Sequence, residues 1–137
     1  MNLTNKSRLL VAAAILQDNQ GRILIAQKIK GDFKGQWEFP GGKIMDGEIP
    51  AHALIRELKE ELGIIVEPQA LEPFTMVGHE YPQFILAMEV FFCRKWRGEI
   101  RAAEGQPLAW VEIAELENYP LLAADEPLIP LLKRLAE

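Results

Sequence analysis

The segment at residues 41–64, GGKIMDGEIPAHALIRELKEELGI, strongly limits how this chain can fold. An α-helix turns by roughly 100° per residue, so Glu57, Glu60 and Glu61 share one narrow stripe of a helix. A second stripe of the same helix is apolar and suits packing on a sheet; it contains Ala51, Leu54, Ile55, Leu58 and Leu62. The sequence therefore predicts an amphipathic helix whose buried face adjoins a face of concentrated negative charge.

These three carboxylates repel one another on the predicted helix. Like charges three or four residues apart destabilise a helix by about 0.2–0.5 kcal/mol per pair. A multivalent cation would turn that repulsion into attraction, and oxygen ligands without Cys or His favour Mg²⁺ or Mn²⁺ over zinc or copper. The glycines Gly41 and Gly42 predict a backbone bend, from which the Gly41 carbonyl can join the same metal site.

A solvated acidic helix face would also explain three glutamates taken alone. The wider pattern, however, resembles the Nudix box, a motif of glycines, glutamates and one arginine at fixed spacing. Every position of its 23 residues is met here, by Gly42, Glu48, Arg56, Glu57, Leu58, Glu60, Glu61, Gly63 and Ile64. A chance match in a chain of this length is on the order of one in ten million at average residue frequencies.

The length and composition predict a single domain over residues 1–137. The chain has 137 residues, of which 49% are hydrophobic, enough for one sizeable core. Its net charge of −5 disfavours stable binding to nucleic acid or to an anionic membrane. No apolar segment approaches the ~20 residues that span a bilayer, and the single Cys93 fits a reducing cytosol. We therefore expect a cytoplasmic protein, either a monomer or a homodimer.

Strand patterns alternate with two main helices along the chain. Residues 8–17 and 22–28 predict two strands of a core hairpin, joined by the Asp18-Asn19-Gln20-Gly21 turn. Further strands are predicted at 37–39, 64–66, 70–81, 84–93 and 108–111, a short helix at 112–118 and a final helix at 124–136. Together they predict an α/β/α sandwich on a mixed β-sheet, which agrees with the Nudix fold that the resemblance implies.

The ends of the acidic helix carry two further signals. Pro50 suits the first helical turn, and Gly63 stands where a C-terminal glycine belongs. Many Nudix relatives carry Ser or Thr as the N-cap, whereas this chain has Ile49. This departure is expected to weaken the cap by about 1 kcal/mol.

The Nudix resemblance implies hydrolysis of a nucleoside diphosphate linked to another group, with water attacking phosphorus. It implies that Glu57, Glu60 and Glu61 hold one to three Mg²⁺ ions, and that these carboxylates are ionised beside the metal. Glu57 is the first candidate for the group that orients or deprotonates the water. Arg56 is expected to assist catalysis by orienting a glutamate, and Glu48 to support the loop and the start of the helix.

Most of the chain resembles the MutT-type branch of this family. The similar segments are WEFPGGK at 37–43, EYP at 80–82, EGQPLAW at 104–110 and YPLLAADEPLI at 119–129. By this resemblance Glu104 joins the metal site and is the second candidate for the catalytic base. The branch implies removal of pyrophosphate from a nucleoside triphosphate, with 8-oxo-dGTP as the leading substrate.

Four residues are expected to bind the nucleotide. Among the lysines near the glycine-rich loop 29–36, Lys28 is the preferred phosphate ligand. Phe39 and Tyr81 stand where such enzymes border the base, although core packing explains them equally well. MutT-type relatives often place Asn where this chain has Asp125.

An ionised Asp125 would only accept hydrogen bonds, which suits guanine N1–H and its amino group or the amino group of cytosine. It could instead cap the final helix. CTP and modified dCTP therefore remain the alternative substrates. A third alternative is a nucleotide-binding module without activity, although such modules commonly have eroded boxes.

Overall fold

A computed structural model describes residues 6–137, and its centre is a four-stranded mixed sheet. Its strands are β1 (Ser7–Leu16), β4 (Gly41–Lys43), β5 (Leu71–Glu80) and β6 (Phe84–Cys93), in the order β4-β1-β6-β5. β1 runs parallel to β6 and antiparallel to β4, and β5 is antiparallel to β6. The predicted pairing of 70–81 with 84–93 is therefore confirmed.

A second, smaller sheet packs beside the first and is antiparallel throughout. It contains β2 (Ile23–Gln27), β3 (Trp37–Glu38) and β7 (Leu108–Val111), in the order β3-β2-β7. The helices are α1 (Pro50–Leu62) and α2 (Leu128–Leu135), with short 3-10 helices at Pro68–Ala70 and Ile113–Asn118.

The mixed sheet is covered on both faces, because β1 carries apolar side chains on each. Ala13 and Ile15 belong to one core together with α2, whose Leu128 and Leu132 are fully buried. On the other face, Ala12, Ala14 and Leu16 share a core with Leu54, Leu58 and Leu62 of α1. The predicted α/β/α sandwich on a mixed sheet is confirmed.

The predicted hairpin of β1 with β2 is wrong, since the two strands lie in different sheets. Only an isolated bridge between Gln17 and Ile23 connects them. The Asp18 side chain accepts hydrogen bonds from the backbone N–H groups of Gln20 and Arg22, at 2.9 and 2.8 Å. The turn is present, but β1 is apolar on both faces and forms its backbone hydrogen bonds with β4 and β6 instead.

Three smaller predictions also change. Residues 64–66 form no strand apart from one bridge at Ile65, because Ile64 and Val66 fill the core beside α1. The segment after β7 is a 3-10 helix, Ile113–Asn118, and the final helix begins only at Leu128.

In the part of the chain that the structure covers, no helix combines the length and apolarity needed to cross a membrane.

The ends of α1 follow the sequence signals. Pro50 is its first residue, and Gly63 ends it in the left-handed conformation, with φ of 71° and an N–H donated to the Lys59 carbonyl. Ile49 occupies the N-cap position, and its side chain makes no capping hydrogen bond. The helix start is therefore held by Pro50 and by packing rather than by a cap.

The first prediction concerns this uncapped start. Changing Ile49 to Ser supplies an oxygen that accepts a free N–H of the first turn, so we expect Ile49→Ser to raise the free energy of unfolding by about 1 kcal/mol. Urea titration measures the change. Met45→Ser is the matched control, since Met45 is similarly exposed in the preceding loop, and its effect should stay within about 0.5 kcal/mol. Equal effects of the two variants would contradict the capping argument.

Candidate active site

Two cavities meet on the surface between the sheets and the start of β4. The larger one, of about 230 Å³, is mainly apolar and reaches Phe39, Tyr81 and Asp125. The smaller one, of about 130 Å³, is lined by polar side chains including Glu104 and Gln106. We call them the apolar cavity and the acidic cavity. Eight residues of the nucleotide site predicted from the sequence line one or both cavities: Lys28, Phe39, Gly41, Gly42, Glu61, Tyr81, Glu104 and Asp125. The other five line neither: Glu48, Arg56, Glu57, Glu60 and Gly63.

Glu57 of α1 lies directly over the backbone of Gly42 in β4. A Cβ atom placed on Gly42 would come within 2.3 Å of the Glu57 Cδ atom, so any other residue here would displace this carboxylate. Arg56 fixes the same carboxylate from the other side, because its Nη1 donates to Glu57 Oε1 at 2.8 Å. Glycine and arginine of the box thus serve to position Glu57.

Arg56 also fastens α1 to the loop before it. Its Nε donates to Glu48 Oε2 at 2.9 Å, and its Nη2 donates to the Lys43 carbonyl at 3.0 Å. The hydrogen bonds from Arg56, and then that from the Met45 N–H, lower the pKa of Glu48 to about 2. Arg56 does not line either cavity, so its contacts are those of a positioning residue.

Glu61 stands one turn further along α1, at the junction of the two cavities. Its Oε2 accepts the Gly41 N–H at 3.2 Å. Burial, and then the negative charges of Glu57, Glu38 and Glu104, raise the pKa of Glu61 to about 9. Without a cation, Glu61 is therefore protonated at neutral pH, which differs from the ionised state expected beside a metal.

Four glutamates, which we call the carboxylate cluster, lie around this point: Glu38, Glu57, Glu61 and Glu104. The negative charge of Glu104 contributes to a raised pKa in each of the other three. Burial is the main cause for Glu38 and Glu57, and the charge of Glu104 adds to it in both. Such a group of neighbouring carboxylates favours a positive charge among them. Their oxygen-only chemistry, with the Gly41 carbonyl at hand, fits a hard divalent cation.

The cluster is not assembled as a finished metal site. Among residues 6–137, no three His, Cys, Asp or Glu side chains are grouped closely enough to hold an ion together. Glu57 is engaged by Arg56 and Glu61 by Gly41, while Glu60 is mostly exposed and lies 3.7 Å from Arg56 Nη1.

Gln106 connects the Glu104 loop to α1 and was not among the site residues predicted from the sequence. Its side chain is buried, its Oε1 accepts the Glu104 N–H at 3.0 Å, and its Nε2 donates to the Glu61 carbonyl at 3.0 Å. The one sequence signal that could have pointed to Gln106 is its position in the Glu104-Gly105-Gln106 segment. Through these bonds Gln106 brings Glu104 to the end of the helix.

The far end of the apolar cavity contains a buried acid, Asp125. Its side chain is only 3% exposed, and its Oδ2 accepts the Phe39 N–H at 3.2 Å. The alternative that Asp125 caps the final helix is wrong, because α2 has Pro127 at its N-cap and no side-chain cap. Burial raises the pKa of Asp125 to about 8, which favours the protonated carboxyl at neutral pH and differs from the ionised acid expected from the sequence.

Aromatic rings form the walls of the apolar cavity. The Tyr81 hydroxyl accepts the Ala124 N–H at 3.2 Å, which joins the β5–β6 turn to the segment before α2. Its ring contacts those of Phe33 and Phe84, with centroids 5.3 and 4.9 Å away. Phe39 is both part of the core and part of the cavity wall. Phe33, from the loop at 29–36, was not singled out in the sequence.

Lys28 and Glu38 form an ion pair at the junction, with Nζ and Oε2 separated by 3.5 Å. Both residues line the apolar cavity and the acidic cavity. Lys28 is therefore within reach of a ligand that occupies both. The role of Glu38 could not be read from the sequence, because its contacts depend on how β3 pairs with β2.

Known proteins share this arrangement of sequence and fold. Residues 12–131 match the family described as the NUDIX domain. The chain is 35% identical over 129 residues to an 8-oxo-dGTP diphosphatase of Escherichia coli (strain K12), covering 93% of this chain and 98% of the relative. It is 38% identical over 120 residues to a CTP pyrophosphohydrolase of the same organism, covering 87% of each.

A solved structure matches over nearly the whole length. The solution structure of the E. coli ORF135 protein covers 99% of this chain, and 96% of its own length is matched, with a TM-score of 0.82 and 34% identity. The resemblance seen in the box at residues 42–64 is thereby confirmed. The chain belongs to the Nudix family.

Proposed function

We propose that this protein is a Mg²⁺-dependent nucleoside triphosphate pyrophosphohydrolase, which converts a (deoxy)nucleoside triphosphate to the monophosphate and pyrophosphate. One observation carries the proposal: the carboxylate cluster opens directly into an apolar cavity that ends at a buried acid. A flat aromatic base fits the apolar cavity, and a cation-bound polyphosphate fits the carboxylate cluster. Mn²⁺ is expected to substitute for Mg²⁺.

The proposed cation ligands are the Gly41 carbonyl and the carboxylates of Glu57, Glu60, Glu61 and Glu104. A bound divalent cation supplies charge neutralisation at the phosphate oxygens, which is most of what this type of reaction requires. The excess of carboxylates over nearby cationic groups supports such a site, as does the glycine cradle under Glu57.

The remaining roles belong to residues of the chain itself. Glu57, oriented by Arg56, is placed to orient or deprotonate the attacking water, and Glu104 is the second candidate. Lys28 is placed to form a charge-assisted hydrogen bond to a phosphate oxygen. Phe39 and Tyr81 border the base, while the protonated Asp125 both donates and accepts at its edge.

The leading substrate is 8-oxo-dGTP, whose removal cleanses the nucleotide pool. An 8-oxo-dGTP diphosphatase is among the relatives that match over most of their length, and a protonated Asp125 can pair with a purine edge that offers both acceptor and donor. CTP or a modified dCTP is the second candidate. It is favoured by the CTP pyrophosphohydrolase relative. The ionised form of Asp125, which lacks the donor that Asn would supply, also suits the amino group of cytosine.

A nucleotide panel tests the proposal. The purified protein is incubated with 8-oxo-dGTP, dGTP, CTP and 5-substituted dCTPs, with Mg²⁺ or with EDTA, and pyrophosphate and monophosphate are measured. We expect cation-dependent release of pyrophosphate, fastest from 8-oxo-dGTP. No pyrophosphate from any nucleotide would overturn the proposal, and tight binding without turnover would support the alternative of a nucleotide-binding module.

A second prediction concerns Glu57. Glu57→Gln keeps the shape of the side chain but removes its charge and basicity, so kcat should fall by about 10³-fold while the thermal unfolding temperature stays near that of the wild type. Glu67→Gln is the matched control, since Glu67 pairs with Arg97 on the surface and lies outside both cavities. A nearly wild-type rate for Glu57→Gln would exclude Glu57 from the catalytic groups.

The third prediction follows from the raised pKa of Glu61. In the metal-free protein its folded pKa is about 9, against an ordinary value of 4.5, so the folded state holds a proton that the unfolded state releases between those values. Stability should therefore fall as the pH rises through this window. Glu61→Gln removes the titrating group, so the variant should lose less stability than the wild type.

Urea unfolding in EDTA at about pH 5 and about pH 9 measures this difference. Asp125 titrates in an overlapping range in both proteins, and its contribution therefore cancels between them. Parallel pH profiles of the wild type and Glu61→Gln would show that Glu61 is not protonated in the folded protein.

A fourth prediction uses the protonated state of Asp125. Below its pKa of about 8 the carboxyl donates one hydrogen bond, and above it the carboxylate only accepts. The ratio of kcat/KM for 8-oxo-dGTP over CTP should fall as the pH rises through this value. Asp125→Asn keeps an acceptor for the Phe39 N–H and does not titrate, so its ratio should stay constant. Equal pH dependence in both proteins would contradict this role of Asp125.

A further inference from the structure

Three residues line both the apolar cavity and the acidic cavity: Lys28, Glu38 and Glu61. Glu61 comes from α1 and belongs to the proposed cation ligands. Glu38 comes from β3 of the smaller sheet, and Lys28 directly follows β2. The register of these two strands sets Ala26 opposite Glu38 and Gln27 opposite Trp37. The passage between the two cavities is therefore lined on one side by Lys28 and Glu38, which lie outside the Nudix box.

Glu38 occupies a middle position between the two ends of the site. Its charge acts on Asp125 at the apolar end and on Glu61 at the acidic end. The Lys28 Nζ lies 3.5 Å from its Oε2, and 29% of its side chain remains exposed. A ligand that reaches from one cavity to the other therefore passes an accessible carboxyl group held by a lysine.

A nucleotide has a fixed order of parts, and the sugar lies between the base and the phosphates. With the base toward Asp125 and the phosphates toward Glu61, the sugar falls at Lys28 and Glu38. The polar hydrogens of the sugar belong to its hydroxyl groups, and a carboxyl oxygen accepts a hydrogen bond in either protonation state. Bonds from a hydroxyl to a carboxylate are short and strong.

We propose that Glu38, held in place by Lys28, accepts a hydrogen bond from a hydroxyl of the substrate sugar and so makes the enzyme sensitive to the sugar as well as to the base. The inference rests on the proposed function, because it requires a nucleotide that spans both cavities. It assigns Glu38 to the sugar rather than to the cation, although Glu38 belongs to the carboxylate cluster.

The proposal is tested with a sugar ladder, by which we mean a series of nucleotides that lose one sugar hydroxyl group at each step. kcat/KM is measured for GTP, dGTP and ddGTP, or for the corresponding cytosine series if that base is preferred. A hydrogen bond to a charged group contributes about 1.5–3 kcal/mol, so the wild type should lose about 10- to 100-fold at one step of the ladder. A loss from GTP to dGTP assigns the 2′-hydroxyl, and a loss from dGTP to ddGTP assigns the 3′-hydroxyl.

Three variants carry the comparison. Glu38→Ala should flatten the ladder to within about threefold, and Glu38→Gln, which keeps an acceptor oxygen and the shape of the side chain, should retain part of the step. Glu117→Ala is the matched control, because Glu117 also pairs with a lysine, Lys133, at 3.1 Å, and lies away from both cavities. Its ladder should equal that of the wild type.

Binding of GMP, dGMP and ddGMP in EDTA gives a second readout without turnover. The difference in affinity at the step seen in the wild type should disappear in Glu38→Ala. An unchanged ladder in Glu38→Ala would overturn the inference. A uniform loss at every rung, together with a higher Mg²⁺ requirement, would also overturn it and make Glu38 a cation ligand. Failure of the wild type to hydrolyse any nucleotide would instead overturn the proposed function.

Discussion

The close packing of α1 against β1 and β4 is the contact on which the rest of the site depends. Ala12 and Ala14 of β1 are fully buried beneath Leu54 and Leu58, and their small side chains let the helix approach the sheet. Burial of a leucine contributes about 1.5–3 kcal/mol, which exceeds the helix-surface repulsion of about 0.2–0.5 kcal/mol per like-charged pair. The apolar stripe can therefore hold its acidic neighbour over the Gly42 backbone.

This packing leaves a local electrostatic conflict that the fold does not resolve. Arg56 compensates Glu48 and Glu57, and Lys28 compensates Glu38, whereas Glu61 takes up a proton. Local conflicts of this kind are expected where a protein acts on a ligand rather than where it only folds. Under the proposed function, the negative charge of the cluster opposes a polyphosphate that arrives without cations, so cation binding and substrate binding are expected to be coupled.

The sequence predicted those parts of the site that depend on spacing within one element. The positions of Glu57 and Glu61 on α1, its start at Pro50 and its end at Gly63 all follow from helical periodicity and backbone chemistry. The separation of β1 from β2 could not be predicted in this way, because β1 pairs with β6, some 77 residues away in the register of Ser7 with Phe84. The role of Glu38 could not be predicted either, because its contacts depend on how β3 pairs with β2.

Asp125 shows how burial can change the chemistry that a residue letter suggests. In water an aspartate differs from an asparagine by a charge and by the loss of a donor. Here Asp125 is enclosed beside Phe39, and burial raises its pKa to about 8, so the donor is restored as a carboxylic acid. Under the proposed function, a side chain of nearly the same shape and hydrogen-bonding pattern as Asn then faces the base. Unlike the amide, this donor depends on pH, and the selectivity of the site becomes a property of the cavity around Asp125 as much as of the residue itself.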